Sequence, residues 1–226
     1  MGSEATVRAV SGRRRTYRSA RRQEQARRTR QRILDAAAAE FAARGYAATT
    51  VAAIAAAAAV SVPTIEQVFR TKAGLLKATI DVAIAGDDEP VAVLQRPGTA
   101  IAAAAETVEE FLAAASSGVV DVAERAAGLV LVAIEAATSD PRLRPLAEQL
   151  RDQRATIAGW IVDGLMTRAS LRPGIDRSHA TDVVWLLMDP AVFTRLRIDC
   201  GWSRQRFQHW FADSTAQLLI DRRKGA

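Results

Sequence analysis

Residues 45–72 read GYAATTVAAIAAAAAVSVPTIEQVFRTK. The placement of hydroxyl and proline residues divides this stretch into short helices. Thr49 and Thr50 are N-cap candidates, because a hydroxyl there can accept from a backbone N–H left unpaired in the first turn. They predict a helix over about 51–58. Val60 follows, and Ser61 is the next cap. Pro63 falls in a first turn, where its missing N–H costs nothing, so a third helix spans about 62–69. Thr71 caps a fourth, about 72–85. Upstream, Ile33, Leu34, Ala37, Ala38 and Phe41 recur at helical spacing and predict a helix over about 28–44. Gly45 stops it, since glycine enters the left-handed region freely. Tyr46 packs back on the core.

Two short helices joined by a tight turn and packed on a longer one have the form of a helix-turn-helix unit. Its second helix enters the major groove of DNA. The caps at Thr50 and Ser61 aim free N–H groups outward, where phosphates can bind. Lys72 adds a charged phosphate contact. In order and spacing, Ile33-Leu34-Asp35-Ala36-Ala37, Phe41, Gly45-Tyr46, Thr49-Thr50-Val51, Ile54-Ala55, Ala58, Val60-Ser61, Thr64-Ile65, Phe69, Lys72 and Leu75-Leu76 resemble the TetR family of bacterial transcription regulators. Trp185, Pro190, Gly201-Trp202-Ser203, Trp210 and Leu218-Leu219 look like an actinobacterial-type branch of it. The resemblance implies an all-helical homodimer whose N-terminal helices bind an operator. The remainder would dimerise and enclose a small-molecule pocket, and ligand binding would release the DNA.

The sequence departs from the family pattern at three positions. Ala59 stands where the family usually has glycine; at φ > 0 it would cost ~1–2 kcal/mol. Glu66 and Val68 replace aromatic residues of the recognition helix. Glu66 either remains a solvated charge or accepts from a cytosine N4 amine. The second helix is nearly all alanine.

Charge is unevenly spread. The net is +6, yet residues 1–32 hold eleven Arg against two Glu, a net of +9. The other 194 residues carry 20 basic and 23 acidic groups, a net of −3. Within 33–77 the net is only +1. The arm is therefore expected to be a disordered basic tail, kept open by like charges, that supplies most of the electrostatic attraction to DNA.

Downstream, Asp87-Asp88-Glu89-Pro90 and Pro97-Gly98 mark a linker over 86–98. Helices are expected near 99–116 and 119–138, parted at Ser116-Ser117-Gly118, then from Asp140-Pro141 to about 170, with Pro145 confined to the first turns or kinking the helix. The last third divides at Pro190 and Gly201 into helices near 177–188, 191–199 and 203–222. The expected fold is all-α, with about nine to ten helices. It has a helix-turn-helix three-helix head and a C-terminal helical bundle. Domains are a disordered arm (1–26), a DNA-binding domain with connecting helix (27–85) and a ligand-binding and dimerisation domain (86–226).

Apolar residues make up 49% of the chain, enough for a real core. Of these 47 are alanine, the best helix former, and all-β or Rossmann-type folds fit poorly. One cysteine, Cys200, excludes an internal disulfide and a multi-cysteine metal site. With two histidines, His179 and His209, no cluster has metal-ligand spacing. No phosphate-binding glycine loop or nucleophile elbow occurs. No uninterrupted apolar run reaches 18 residues. Met1-Gly2-Ser3 and Arg13-Arg14 imitate lipidation and export signals too weakly to count.

The sequence therefore predicts a cytoplasmic, non-enzymatic regulator without metal or cofactor. Its partners would be double-stranded operator DNA, a second copy of the chain and a small effector. DNA contacts are expected from Arg27, Arg28, Arg30, Thr49, Thr50, Ser61, Val62, Pro63, Thr64, Glu66, Gln67 and Lys72. Phe111, Trp160, Met166, Trp185 and Met188 are candidates for the ligand pocket, since pockets are mostly apolar and aromatic; ordinary core is the other reading. Phe207, Trp210, Phe211 and Leu218 form a stripe read as a dimer seam with the 177–188 helix, the alternative being an intramolecular face. The functional reading is a repressor released by a small, largely apolar molecule. The alternative is a helical dimer with a degenerate DNA head, acting as co-regulator or binding partner.

Overall fold

The computed structural model describes residues 4–87 and 93–221; the first three residues of the arm, the middle of the linker and residues 222–226 lie outside them. Among the described residues the regular structure is helical, and the only β-type contact is a bridge between Leu171 and Ile220. The helices are α1 (Glu4–Ala48), α2 (Val51–Ala57), α3 (Val62–Phe69), α4 (Lys72–Ala85), α5 (Pro97–Ala104), α6 (Val108–Ser139), α7 (Arg144–Met166), α8 (Arg177–Leu187), α9 (Pro190–Thr194) and α10 (Arg204–Leu219). A π turn, Arg195–Asp199, continues α9.

The head follows its local signals. Thr50 Oγ1 accepts from the Ala53 N–H, and Thr71 Oγ1 from that of Gly74. These caps start α2 and α4 by satisfying donors that the helix leaves unpaired. The chain breaks at Gly45 (φ +69°) and bends by 109° between α2 and α3, within the helix-turn-helix range. The turn at the end of α2 is a Schellman motif: the Val60 N–H donates to Ala55 O at 3.0 Å and the Ala59 N–H to Ala56 O at 3.1 Å. Ala59 occupies its left-handed position, at φ +52°.

Two expectations are corrected. First, α1 extends back to Glu4 rather than starting near residue 28 after a disordered tail. Residues 4–27 contain no proline, and Arg, Gln, Glu and Ala all favour helix. A Glu24–Arg28 ion pair at 2.9 Å bridges one turn, a modest local support. Second, α6 runs unbroken through Ser116-Ser117-Gly118. The buried Ser116 hydroxyl bonds back to Ala113 O, so the residues that signal a turn are absorbed by a helix packed on both sides. The break falls at Ala105–Thr107 instead. There Thr107 and Glu110 form a reciprocal capping box, whose N–H donors lower the Glu110 carboxyl pKa.

Two hydrophobic cores result. The first unites α1–α4 (Ile33, Phe41, Ile54, Ile65, Phe69, Leu75, Ile80) with the second half of α6 (Leu129, Ala133) and the start of α7 (Leu146, Leu150). The second holds α5, the first half of α6 (Phe111, Leu112, Val120), the end of α7 and α8–α10 (Val184, Phe193, Phe207, Phe211, Leu219). Helix α6 is thus the spine of both. No single described helix is long and apolar enough to cross a membrane.

Candidate functional site

The solvent side of the head carries part of the predicted set. Thr50, Ser61, Pro63, Glu66 and Gln67 are exposed, and Val62 and Thr64 are half-buried. On α3 the alternate face, Ile65 and Phe69, is buried, which turns Ser61, Glu66 and Gln67 to solvent. The Ser61 and Thr64 hydroxyls bond each other at 2.8 Å, so Ser61 does not cap the α3 backbone. Val68 is 43% exposed, an apolar side chain where water or a partner must meet it.

Other members of the set are turned inward. Thr49 is 1% exposed; its hydroxyl donates towards Gly45 O at 2.7 Å and Glu40 O at 3.0 Å, tying down the kinked end of α1. Arg30 lies with its guanidinium 4.9 Å from the Phe69 ring centroid, and this cation–π contact joins α1 to α3. Lys72 Nζ sits 4.2 Å from the Tyr46 centroid and 3.5 Å from Ala47 O. Burial lowers its pKa, opposed by the nearby Asp140 carboxylate. Arg27 and Arg28 are exposed along α1.

Behind the head lies a cavity of about 860 Å³ between α4, α5, α6 and α7. Its wall is largely small and apolar: Ala78, Val82, Ala102, Ala114, Ala115, Val119, Val122, Ala126, Val130, Ile157 and Trp160. Trp160 and Met188 line it as the sequence suggests. Phe111 does not. It is fully buried in the second core, its ring 5.6 Å from that of Trp160, and it fills the space above Gly164, where a Cβ would come within 2.2 Å of Cζ. Met166 is 46% exposed at the end of α7. Trp185 also lies off the wall, covered by the Arg154 guanidinium at 3.8 Å.

The α10 stripe divides. Phe207 and Phe211 are fully buried inside the second core, against Phe193 and neighbours, so they belong to the intramolecular face. Trp210 is half-buried, and Leu218 is 47% exposed, as is Leu186 of α8 at 58%.

Sequence reasoning misses two residues. Arg125 of α6 donates through Nε to Ala83 O at 2.9 Å and through a terminal nitrogen to Ile84 O at 3.3 Å. It pairs the last carbonyls of α4 and forms part of the cavity wall. Arg154 of α7 has its side chain only 11% exposed and pairs with Asp189 at 2.7 Å. Burial lowers its pKa, and Asp189 opposes the shift. A signal for Arg154 exists: it falls on the stripe Leu146, Leu150, Ala158, Ile161, where an apolar residue belongs.

Residues 33–79 match the model of the bacterial regulatory proteins of the tetR family. Over those residues the head is similar to the tetR family. No curated protein matches the chain. Among solved structures it is similar to the FadR regulator of Bacillus subtilis in complex with stearoyl-CoA, at 20% identity and a TM-score of 0.65, over 83% of this chain and 98% of that one. It is also similar to NalD of Pseudomonas aeruginosa, the secondary repressor of the MexAB-OprM efflux pump (15%, TM-score 0.66, 87% and 99%). A third is a protein of Saccharomonospora viridis solved with choline (19%, TM-score 0.63, 85% and 98%). The likeness covers 83–87% of this chain, more than the residues that match the family model, so most of the chain shares the fold of these proteins.

Proposed function

We propose that the protein is a DNA-binding transcriptional regulator that works as a homodimer in the cytoplasm and is released from its operator by a small, largely apolar molecule. One observation carries the reading: α4, which holds the tetR-type head, is also a wall of the cavity and is fastened there by Arg125. A molecule that alters that wall moves the anchor of the head. Similarity to regulators solved with stearoyl-CoA and with choline supports a ligand in the body. DNA would meet Arg27 and Arg28 of α1, Thr50, and the α3 face from Ser61 to Gln67. The dimer surface would include the exposed apolar residues Leu186 and Leu218.

The head itself favours a second reading on one point: the only charge on the exposed face of α3 is Glu66. A gel shift with DNA from upstream of the protein's own gene, at low salt, separates the two. Retardation by a dimer of verified fold supports the regulator. A folded dimer that retards no such DNA supports a co-regulator with a degenerate head.

A further inference from the structure

The polar groups of the cavity wall are not equivalent. Among the described residues its three carboxylates are engaged: Asp81 by Lys77, Asp87 by Arg96 in a two-pronged pair, and Asp121 by Arg204. Arg154 has a carboxylate partner too, but it carries a donor that its neighbours leave unused. One terminal nitrogen meets Asp189, and Trp185 covers a face of the guanidinium, yet Nε is buried without a hydrogen-bond partner. A charged donor left unpaired is costly, and because Arg154 lines the cavity, an acceptor bound there removes the cost once the guanidinium turns to meet it. Arg151, one turn earlier, lines the same end of the wall and lies near enough to repel the Arg154 charge. An anion relieves both the missing bond and the repulsion.

We propose that the cavity binds an amphiphilic anion, with its apolar body along the alanine-rich wall of α6 and a carboxylate or phosphate oxygen accepting from Arg154. Trp185 and Asp189 hold the guanidinium flat and fixed, which suits an oxyanion better than a flexible ammonium would. The assignment rests on the effector reading of the cavity given above, and it sharpens "apolar" to "apolar with one anionic end".

The test titrates the full-length protein with decanoate, decyl phosphate and decanol at sub-micellar concentrations, followed by calorimetry and tryptophan fluorescence. At least one of the two anions is expected to bind tenfold or more tightly than the alcohol, about 1.4 kcal/mol. Which anion is preferred identifies a carboxylate or a phosphate head. Arg154→Gln should bring the anions to the level of decanol and leave decanol unchanged. Asp189→Asn keeps an acceptor for the Ala191 N–H that it now caps but removes the competing charge, so it should tighten anion binding alone. A purely structural Arg154–Asp189 pair would give no such gain. Melting curves establish the fold of each variant; should Arg154→Gln fail to fold, Arg154→Lys keeps the charge without the Nε donor and should weaken anions selectively. The proposal is overturned if decanol binds as well as the anions, if the preference survives loss of Arg154, or if none of the three binds. Protein that retards DNA yet binds no probe refutes this assignment alone. Protein that binds anions through Arg154 yet no DNA refutes the regulator alone.

Discussion

Replacing Ala59 by glycine is expected to stabilise the protein, although the change removes a methyl group and adds none. Ala59 sits at φ +52° in the turn between α2 and α3, where a Cβ crowds the following carbonyl at ~1–2 kcal/mol. The surrounding bonds, Val60 N–H to Ala55 O and Ala59 N–H to Ala56 O, are backbone to backbone and survive the substitution. Residue 59 is exposed, so its methyl group takes no packing with it. Against the relief stands the greater freedom of glycine in the unfolded chain, roughly 0.4–1 kcal/mol. The net gain is then about 0–1.6 kcal/mol, or up to roughly 6 °C in melting temperature for a chain of this size. Thermal and urea unfolding of wild type and Ala59→Gly, at equal protein concentration, measure it. Ala59→Val should move the other way, because a β-branched side chain tolerates the left-handed region worse. A lower melting temperature for Ala59→Gly would refute the strain argument, and a changed urea slope would show that the two states being compared had themselves changed.

Deleting residues 1–26 should weaken binding to all DNA sequences and flatten the salt dependence, by ~0.9 in log–log slope for each phosphate that is no longer neutralised; filter binding across a salt series reads it. Glu66→Gln separates two roles: tighter binding to every sequence marks a charge repelled by phosphate, whereas a shift confined to one base position marks a cytosine contact. Gly164→Ala places a Cβ 2.2 Å from the Phe111 ring, which is fully buried and cannot swing away; overpacking of this kind costs ~1–3 kcal/mol, measurable by thermal melting. Arg125→Ala frees two carbonyls at the end of α4 and should reduce the effect of an effector on DNA affinity more than it reduces DNA affinity itself.

The head is legible in the sequence because its signals are local. A hydroxyl at Thr50 or Thr71 meets a donor three residues away, whatever the rest of the chain does. Ser116 and Gly118 fail as turn signals for the opposite reason: the helix that carries them is held by α7 and α10, distant in sequence. In the arm, helix propensity outweighs like-charge repulsion, the reverse of the expectation from charge. Periodicity shows that Phe207 and Phe211 share a face, but it cannot say whether the partner is the same chain or another. Large aromatic residues are a poor guide to the pocket, because space is left where side chains are small. Alanine lines the cavity, and Phe111 fills the core beside it. Thr49 and Arg30 look like surface groups in sequence, and only the fold shows the carbonyls and the ring that hold them.

The first core has a bearing on modularity. The linker at 86–98 suggests a head that can be cut away or exchanged, but Leu129, Ala133, Leu146 and Leu150 lie in the same cluster as Phe41, Ile54 and Leu75. A chimaera that grafts residues 27–85 onto another regulator's body would leave half of this cluster facing unmatched side chains. The exchangeable unit is the head together with the second half of α6 and the start of α7, two segments separated in sequence. Recombination at the linker, the obvious crossover point, therefore breaks the protein at one of its most densely shared surfaces.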